Sequence, residues 1–197
     1  MTTPTAGRGL DDATVTALAD ELAEATRTRG TVELLSARHP AMTVDDSYAV
    51  QRIWRTRREA GGHRVVGRKI GLTSKVMQVA TGITEPDYGV IFDDQVFESG
   101  STLETERYSN VRVEVELAFV LGAPLGADAT EDDVLAATEW VVPALEVLDS
   151  HIRMDGRTIV DTISDNAALG AMVLGDTRVR PADVDLRWVG AMLSRNG

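Results

Sequence analysis

Three glutamates carry the densest chemical information in this chain. In Val111-Arg112-Val113-Glu114-Val115-Glu116-Leu117-Ala118-Phe119 the odd positions are all large and apolar, while Arg112, Glu114 and Glu116 alternate with them. Period-two alternation predicts a strand over Val111 to Leu121, with both carboxylates on one face roughly 7 Å apart by strand rise. Like charges so placed repel unless water or a cation lies between them. Hard oxygen donors on a common face suit Mg²⁺ or Mn²⁺. A solvated sheet face explains the same pattern, because alternating strands commonly turn one side to water. Glu146 bears on that choice, since it interrupts Val141-Val142-Pro143-Ala144-Leu145-Glu146-Val147-Leu148, a run otherwise suited to burial. A carboxylate buried there needs a partner, a metal or a proton. An arginine-paired core glutamate and a third metal ligand both meet that need.

The basic residues are unevenly chosen. Of 20, all but Lys69 and Lys75 are arginine. An amine can lose its proton when desolvated and a guanidinium effectively cannot, so a retained lysine marks a place where amine chemistry is wanted. His39, His63 and His151 are scattered singly, a pattern that assigns them no role.

These side chains must be positioned by a fold of changing texture. Asp11 can cap a helix with Val15, Leu18, Leu22 and Ala25 on its apolar stripe and Gly30 beyond its end. Thr43 with Asp46 forms a variant capping box for a second helix burying Val50, Ile53 and Trp54 and stopping at Gly61-Gly62. Strands are expected over Val65 to Leu72, Val90 to Phe92, Trp140 to Leu148 and Val184 to Leu193. Thr73-Ser74 caps a short helix, Pro86-Asp87-Tyr88-Gly89 forms a turn, and Thr130 caps a helix over Glu131–Thr138. Helices first and strands later indicate an α+β protein, with a helical section over 1–60 and a β-rich metal-binding section over 61–197.

Composition narrows the function classes. A chain of 197 residues can bury one real core. Its formal net charge of -11 repels phosphate backbones and anionic membranes, which argues against nucleic-acid or membrane partners. A bound metal can still reverse the local field for an anionic substrate. Without cysteine, disulfides, zinc–thiolate sites and thiol nucleophiles are excluded. The polar stretch Met1 to Gly9 lacks a signal-peptide core, so a cytoplasmic location is expected.

Five blocks, in order and register, resemble the 2-oxo-4-pentenoate hydratase family. They are Gly67-Arg68-Lys69-Ile70-Gly71-Leu72-Thr73-Ser74, Pro86-Asp87-Tyr88-Gly89, Val113 to Leu121, Pro143 to Ser150, and Asp161-Thr162-Ile163-Ser164-Asp165-Asn166-Ala167. Glu85 to Val90 and Asp185-Leu186-Arg187-Trp188 are most similar to the 2-oxo-hept-4-ene-1,7-dioate hydratase branch. The resemblance covers about residues 40–197 and implies a mixed β-sheet roll of the fumarylacetoacetate-hydrolase-like type behind a helical N-terminal part. It implies that Glu114, Glu116 and Glu146 hold Mg²⁺ or Mn²⁺, and that Lys69 and Asp87, with Ser164 nearby, act on a small 2-oxo acid in a homo-oligomer. The implied reaction adds water to a 2-oxo-alkenoate in aromatic-compound catabolism. Arg68 departs from the pattern, which has an aromatic residue there.

Two rivals share these residues. A 4-oxalocrotonate-type decarboxylase would share the metal site, and Asp87 favours hydration over it. For a truncated, non-catalytic oligomer partner, the three retained glutamates argue against and the short C-terminus argues for. The chain closes on Asn196-Gly197, a pair favoured at the centre of a type I′ hairpin turn, yet no returning strand follows. The expectation is therefore a roll truncated at its C-terminus, with either the chain a fragment or its open edge covered by a partner.

Overall fold

The computed structural model describes residues 7–196, the side chain of Ala80 apart. Helix α1 (Asp12–Thr28) begins where Asp11 accepts from the Thr14 amide at 2.7 Å, and it buries Val15, Leu18, Leu22 and Ala25. After the single turn of α2 (Leu35–Arg38), α3 (Val44–Ala60) starts at the Thr43–Asp46 capping box and buries Val50, with Ile53 and Trp54 half-buried. Asp46 also accepts from the Gly9 and Leu10 amides. Burial would raise its pKa, but the donors of Thr43, Gly9 and Leu10 prevail and hold it below the usual carboxylate range. Leu18, Leu35 and Val50 share one core with Ile152 and Val160 from the other end of the chain.

Two sheets follow. Strand β1 (Val65–Gly71) pairs antiparallel with β2 (Asp87–Phe92), with α4 (Lys75–Thr81) between them. The expected turn at Pro86 to Gly89 is corrected here, because Asp87 already belongs to β2 and lies opposite Gly71. The free backbone edge of β1 offers that segment a ladder. The Asp87 side chain is buried instead of closing a local turn.

The larger sheet contains β3 (Val96–Glu98), β4 (Val111–Leu121), β5 (Thr138–Asp149) and β6 (Leu169–Leu174), in the order β3-β6-β5-β4, and only β3 and β6 run parallel. Helix α5 (Glu131–Ala137), capped by Thr130, joins β4 to β5, and α6 (Ile159–Ser164) precedes β6. The architecture is α+β, helices first and sheets after. Strand β4 lies at the sheet's edge, and its apolar positions Val111, Val113, Val115 and Phe119 stay exposed.

The strand expected over Val184 to Leu193 does not form. Two 3₁₀ turns, Pro181–Asp183 and Leu186–Trp188, stand there instead, the second capped by Asp185 accepting from the Arg187 amide. Apolar spacing makes a strand only where a neighbour supplies the ladder, and Trp188, Met192 and Leu193 lie exposed. Asn196 has the positive φ of the proposed hairpin turn, 60°, and Gly197 lies outside the described residues.

Candidate metal centre and active site

Sheet register brings the three glutamates together. Glu114 on β4 is directly opposite Glu146 on β5, and Glu116 is two positions along the same face. Carboxylate oxygens of all three lie within 4.8 Å of one another. Like charges directly opposite on a sheet destabilise it, so the register works against folding unless something positive sits between them. Glu146 is buried, and its Oε1 has no aligned hydrogen-bond donor although Lys69 Nζ is 3.0 Å away. Burial pushes its pKa up, Lys69 offsets part of the rise, and Glu114 and Glu116 add to it. Burial and the charge of Glu114 likewise raise Glu116. Three hard oxygen donors that crowd one ammonium, one of them buried, fit a divalent cation.

A second strand pair supplies the polar groups beside them. Lys69 and Gly71 alternate on β1, and Gly89 and Asp87 are their cross-strand partners, so all four share a face. The two glycines make the room. A Cβ on Gly71 would collide with Asp87 Oδ1, and one on Gly89 would lie 2.5 Å from the Asn166 carbonyl oxygen. Asp87 is 2% exposed, and neither carboxylate oxygen has an aligned donor. Burial raises its pKa against the opposing charges of Lys69 and Arg157.

Lys69 is held from the other side by a strained segment. Asn166, Ala167 and Ala168 are consecutive residues at positive φ, between 50° and 57°. Non-glycine residues there cost of order 1 kcal/mol each and persist only when the surroundings over-determine them. Asn166 supplies that constraint, accepting from the Val90 amide at 2.8 Å and donating to the Val90 carbonyl at 2.9 Å. The turn points the Ala167 carbonyl at Lys69 Nζ, 2.9 Å away. Lys75, the other lysine, stays within its own helix by donating to Gln78.

Ser164 is placed differently. Its hydroxyl donates to the Val160 carbonyl within α6, and it lines a cavity of about 220 Å³ whose walls include none of Glu114, Glu116, Glu146, Lys69 and Asp87. That cavity also borders His151, to which sequence reasoning gave no role. His151 Nδ1 is 2.9 Å from Asp165 Oδ1 and Nε2 is 3.3 Å from Asp149 Oδ2. Burial would lower its pKa, but the two carboxylates override that and push it up to about 10. Asp149 and His151 stand two apart in the sequence, but only folding brings Asp165 onto the other ring nitrogen, so no sequence signal marked the triad. A further acidic group, Asp93 and Asp94 beside His63, is already engaged by Arg64 and Arg58.

No family model matches the chain. It is 44% identical over 194 residues to the 2-oxo-hept-4-ene-1,7-dioate hydratase of Escherichia coli, covering 95% of this chain and 73% of that protein. It is 47% identical over 159 residues to the 2-keto-4-pentenoate hydratase of Paraburkholderia xenovorans, covering 80% and 59%. A 2-hydroxypent-2,4-dienoate hydratase of Pseudomonas putida is 42% identical over 95% of this chain and 86% of its own. The chain thus spans between about three fifths and nine tenths of these curated relatives. Among solved structures, the 4-oxalocrotonate decarboxylase of Pseudomonas putida G7, complexed with magnesium and adipate, superposes with a TM-score of 0.85 at 31% identity, over 92% of this chain and 69% of that one. Among the described residues, no helix is long and apolar enough to cross a membrane. From motif blocks, register and kinship together, the chain belongs to the 2-oxo-4-pentenoate hydratase family, with the fumarylacetoacetate-hydrolase-like fold.

Proposed function

We propose that this chain catalyses the addition of water to a 2-oxo-alkenoate, giving a 4-hydroxy-2-oxo acid in the breakdown of aromatic compounds. The observation that carries the reading is the triad of carboxylates, whose buried member Glu146 has only the Lys69 ammonium beside its Oε1, set next to an unpaired, buried Asp87. Glu114, Glu116 and Glu146 would hold a divalent cation, magnesium or manganese. When bound, it supplies Lewis-acid polarisation of a 2-oxo acid.

The chain's own residues do the rest. Hydration of a 2-oxo-4-enoate first moves a proton from C3 to C5, which conjugates the alkene with the ketone. Water then adds at C4, and C3 is reprotonated. Lys69, fixed between Ala167 and Glu146, sets a positive charge beside the enolate and can pass a proton to it. Asp87, raised by burial, accepts a proton from the incoming water more readily than an ordinary aspartate. The shared face of Lys69 and Asp87 supports their acting on one substrate.

Decarboxylation is the second reading, favoured by the likeness to a decarboxylase structure. The hydratases are nearer in sequence, at 42–47% identity against 31%. Mass spectrometry of products from 2-oxo-4-pentenoate and 2-oxo-hept-4-ene-1,7-dioate, each with Mg²⁺, tests the proposal. A product heavier by one water is expected. Carbon dioxide release from a 2-oxo-3-enedioate, without any hydroxylated product, would reverse the assignment.

A further inference from the structure

A lysine tip on a flexible four-carbon stem can serve one atom of a substrate only if something fixes it. Two oxygens flank Lys69 Nζ, the Ala167 carbonyl at 2.9 Å and Glu146 Oε1 at 3.0 Å. The cation proposed for the three glutamates would draw on Glu146, whereas the Ala167 carbonyl lies outside that competition. Lys69 Nζ and Asp87 Oδ1 also border one space, which Gly71 leaves by lacking a side chain. A Cβ there would lie 3.4 Å from Nζ and collide with Oδ1. The Ala167 carbonyl therefore decides whether the ammonium stays beside that space.

The carbonyl's direction depends on the left-handed turn of Asn166, Ala167 and Ala168. Returning those residues to negative φ would swing the peptide planes between them, and the carbonyl with them. Asn166 prevents this from a buried position. Its side-chain amide both accepts from and donates to the backbone of Val90, as the peptide of a neighbouring strand would. Among the described residues β2 has only β1 as a strand partner, so this amide occupies a place that no strand takes. Gly89, the cross-strand partner of Lys69, lets the Asn166 backbone approach, since a Cβ there would meet the Asn166 carbonyl oxygen. One side chain thus ties the turn to the strand pair that carries both Lys69 and Asp87.

We propose that Asn166 is a positioning residue for the reaction. By pinning the left-handed turn to Val90, it holds the Ala167 carbonyl where Lys69 Nζ stays beside Asp87. The effect on turnover rests on the hydration reading, and the placement of the ammonium does not.

The chain has only two lysines, which makes that placement measurable. Labelling with ¹³C-lysine gives a Cε signal for each, and Lys75→Arg identifies the one from Lys69. In the chain with Mg²⁺ the Lys69 Cε order parameter should be high. In Asn166→Gly, which permits the left-handed φ but removes both bonds to Val90, it should fall below about 0.6, the flexible range. Turnover should fall at least about tenfold, since displacing a reacting group by about 1 Å can cost a hundredfold. KM and Mn²⁺ affinity should change by less than about threefold. Asn166→Asp keeps the acceptor for the Val90 amide and loses the amide donor. It should fall between the parent and the glycine variant, and it carries the test if that variant does not fold. Ala167→Gly, which leaves the Asn166 bonds intact, should keep Lys69 ordered. An unchanged Lys69 order parameter in the Asn166 variants would overturn the proposal. So would a loss of Mn²⁺ affinity as large as the loss of turnover, which marks general disruption of the site. A loosened Lys69 with unchanged turnover would overturn the part of Lys69, and of Asn166 with it, in the reaction. If the parent chain forms no hydration product, the reaction reading fails and the order parameters still decide the placement.

Discussion

Strand β5 buries two acids three residues apart, Glu146 and Asp149, which the strand's period sends to opposite faces of the sheet. Around Asp149 every demand is met. Its Oδ1 accepts from the Ser109 and Asn110 amides at 2.7 and 2.8 Å, and its Oδ2 faces His151, which Asp165 clamps from the other side. Around Glu146 the demands conflict. Three carboxylates crowd one ammonium, and both Glu146 Oε1 and the oxygens of Asp87 lack aligned donors. A buried polar cluster with each acceptor matched holds the chain in place. One with surplus like charge and orphaned oxygens costs stability until a ligand completes it. On that contrast we read the first cluster as scaffold and the second as the proposed site.

The comparison breaks most visibly at Glu116. Glu116→Ala should lower turnover about a thousandfold, because polarisation by the cation is worth several kcal/mol of barrier. Urea unfolding of the cation-free variant should show no loss of stability, and a large loss would mean that Glu116 is scaffold after all. His151→Asn should do the reverse. It leaves two buried carboxylates without their shared cation, at a cost of about 3–5 kcal/mol in urea unfolding, while Mn²⁺ affinity changes little. The sign of the pH dependence follows from the raised His151 pKa. The imidazolium's contribution is fully present below the unfolded value of 6.5 and is lost as pH rises toward about 10. Stability should therefore decline over that window in the parent chain and decline less in the variant.

Lys69→Ala should cut turnover about a hundredfold, the scale of one positioned proton-transfer group, and lower metal affinity much less. An unchanged rate would remove Lys69 from the mechanism. Asp87→Asn probes the smallest effect. Replacing an unpaired buried carboxylate with a neutral amide should raise stability by about 1 kcal/mol while activity falls. A destabilised variant would mean that Asp87 belongs to the scaffold.

How much of this was legible in the sequence depended on the range of the interaction. Capping of α1, α3 and α5 was readable because Asp11, Thr43 and Thr130 act on amides three residues away. Alternation on β4 put Glu114 and Glu116 on one face, and an acid in an apolar run singled out Glu146, but only register made Glu114 and Glu146 opposite. Pairing decided the two misread strands. Asp87 joins one because β1 lies beside it, and Val184 to Leu193 does not because no strand among the described residues lies beside it. His151, Arg157 and the left-handed Asn166–Ala168 turn were hidden for a simpler reason. What fixes them is three-dimensional geometry, such as Asp149 and Asp165 on the two ring nitrogens of His151 and Asn166 bonded to the Val90 backbone, and it leaves no compositional trace.

The central claim is that the three glutamates form one divalent-cation site. Titration of the chain with Mn²⁺, followed by electron paramagnetic resonance of the free ion, measures this without any substrate. One ion bound per chain, displaced by Mg²⁺ and lost in Glu146→Gln, is the predicted result. Equal Mn²⁺ binding by the chain and by a Glu114→Gln, Glu116→Gln, Glu146→Gln triple variant would contradict it.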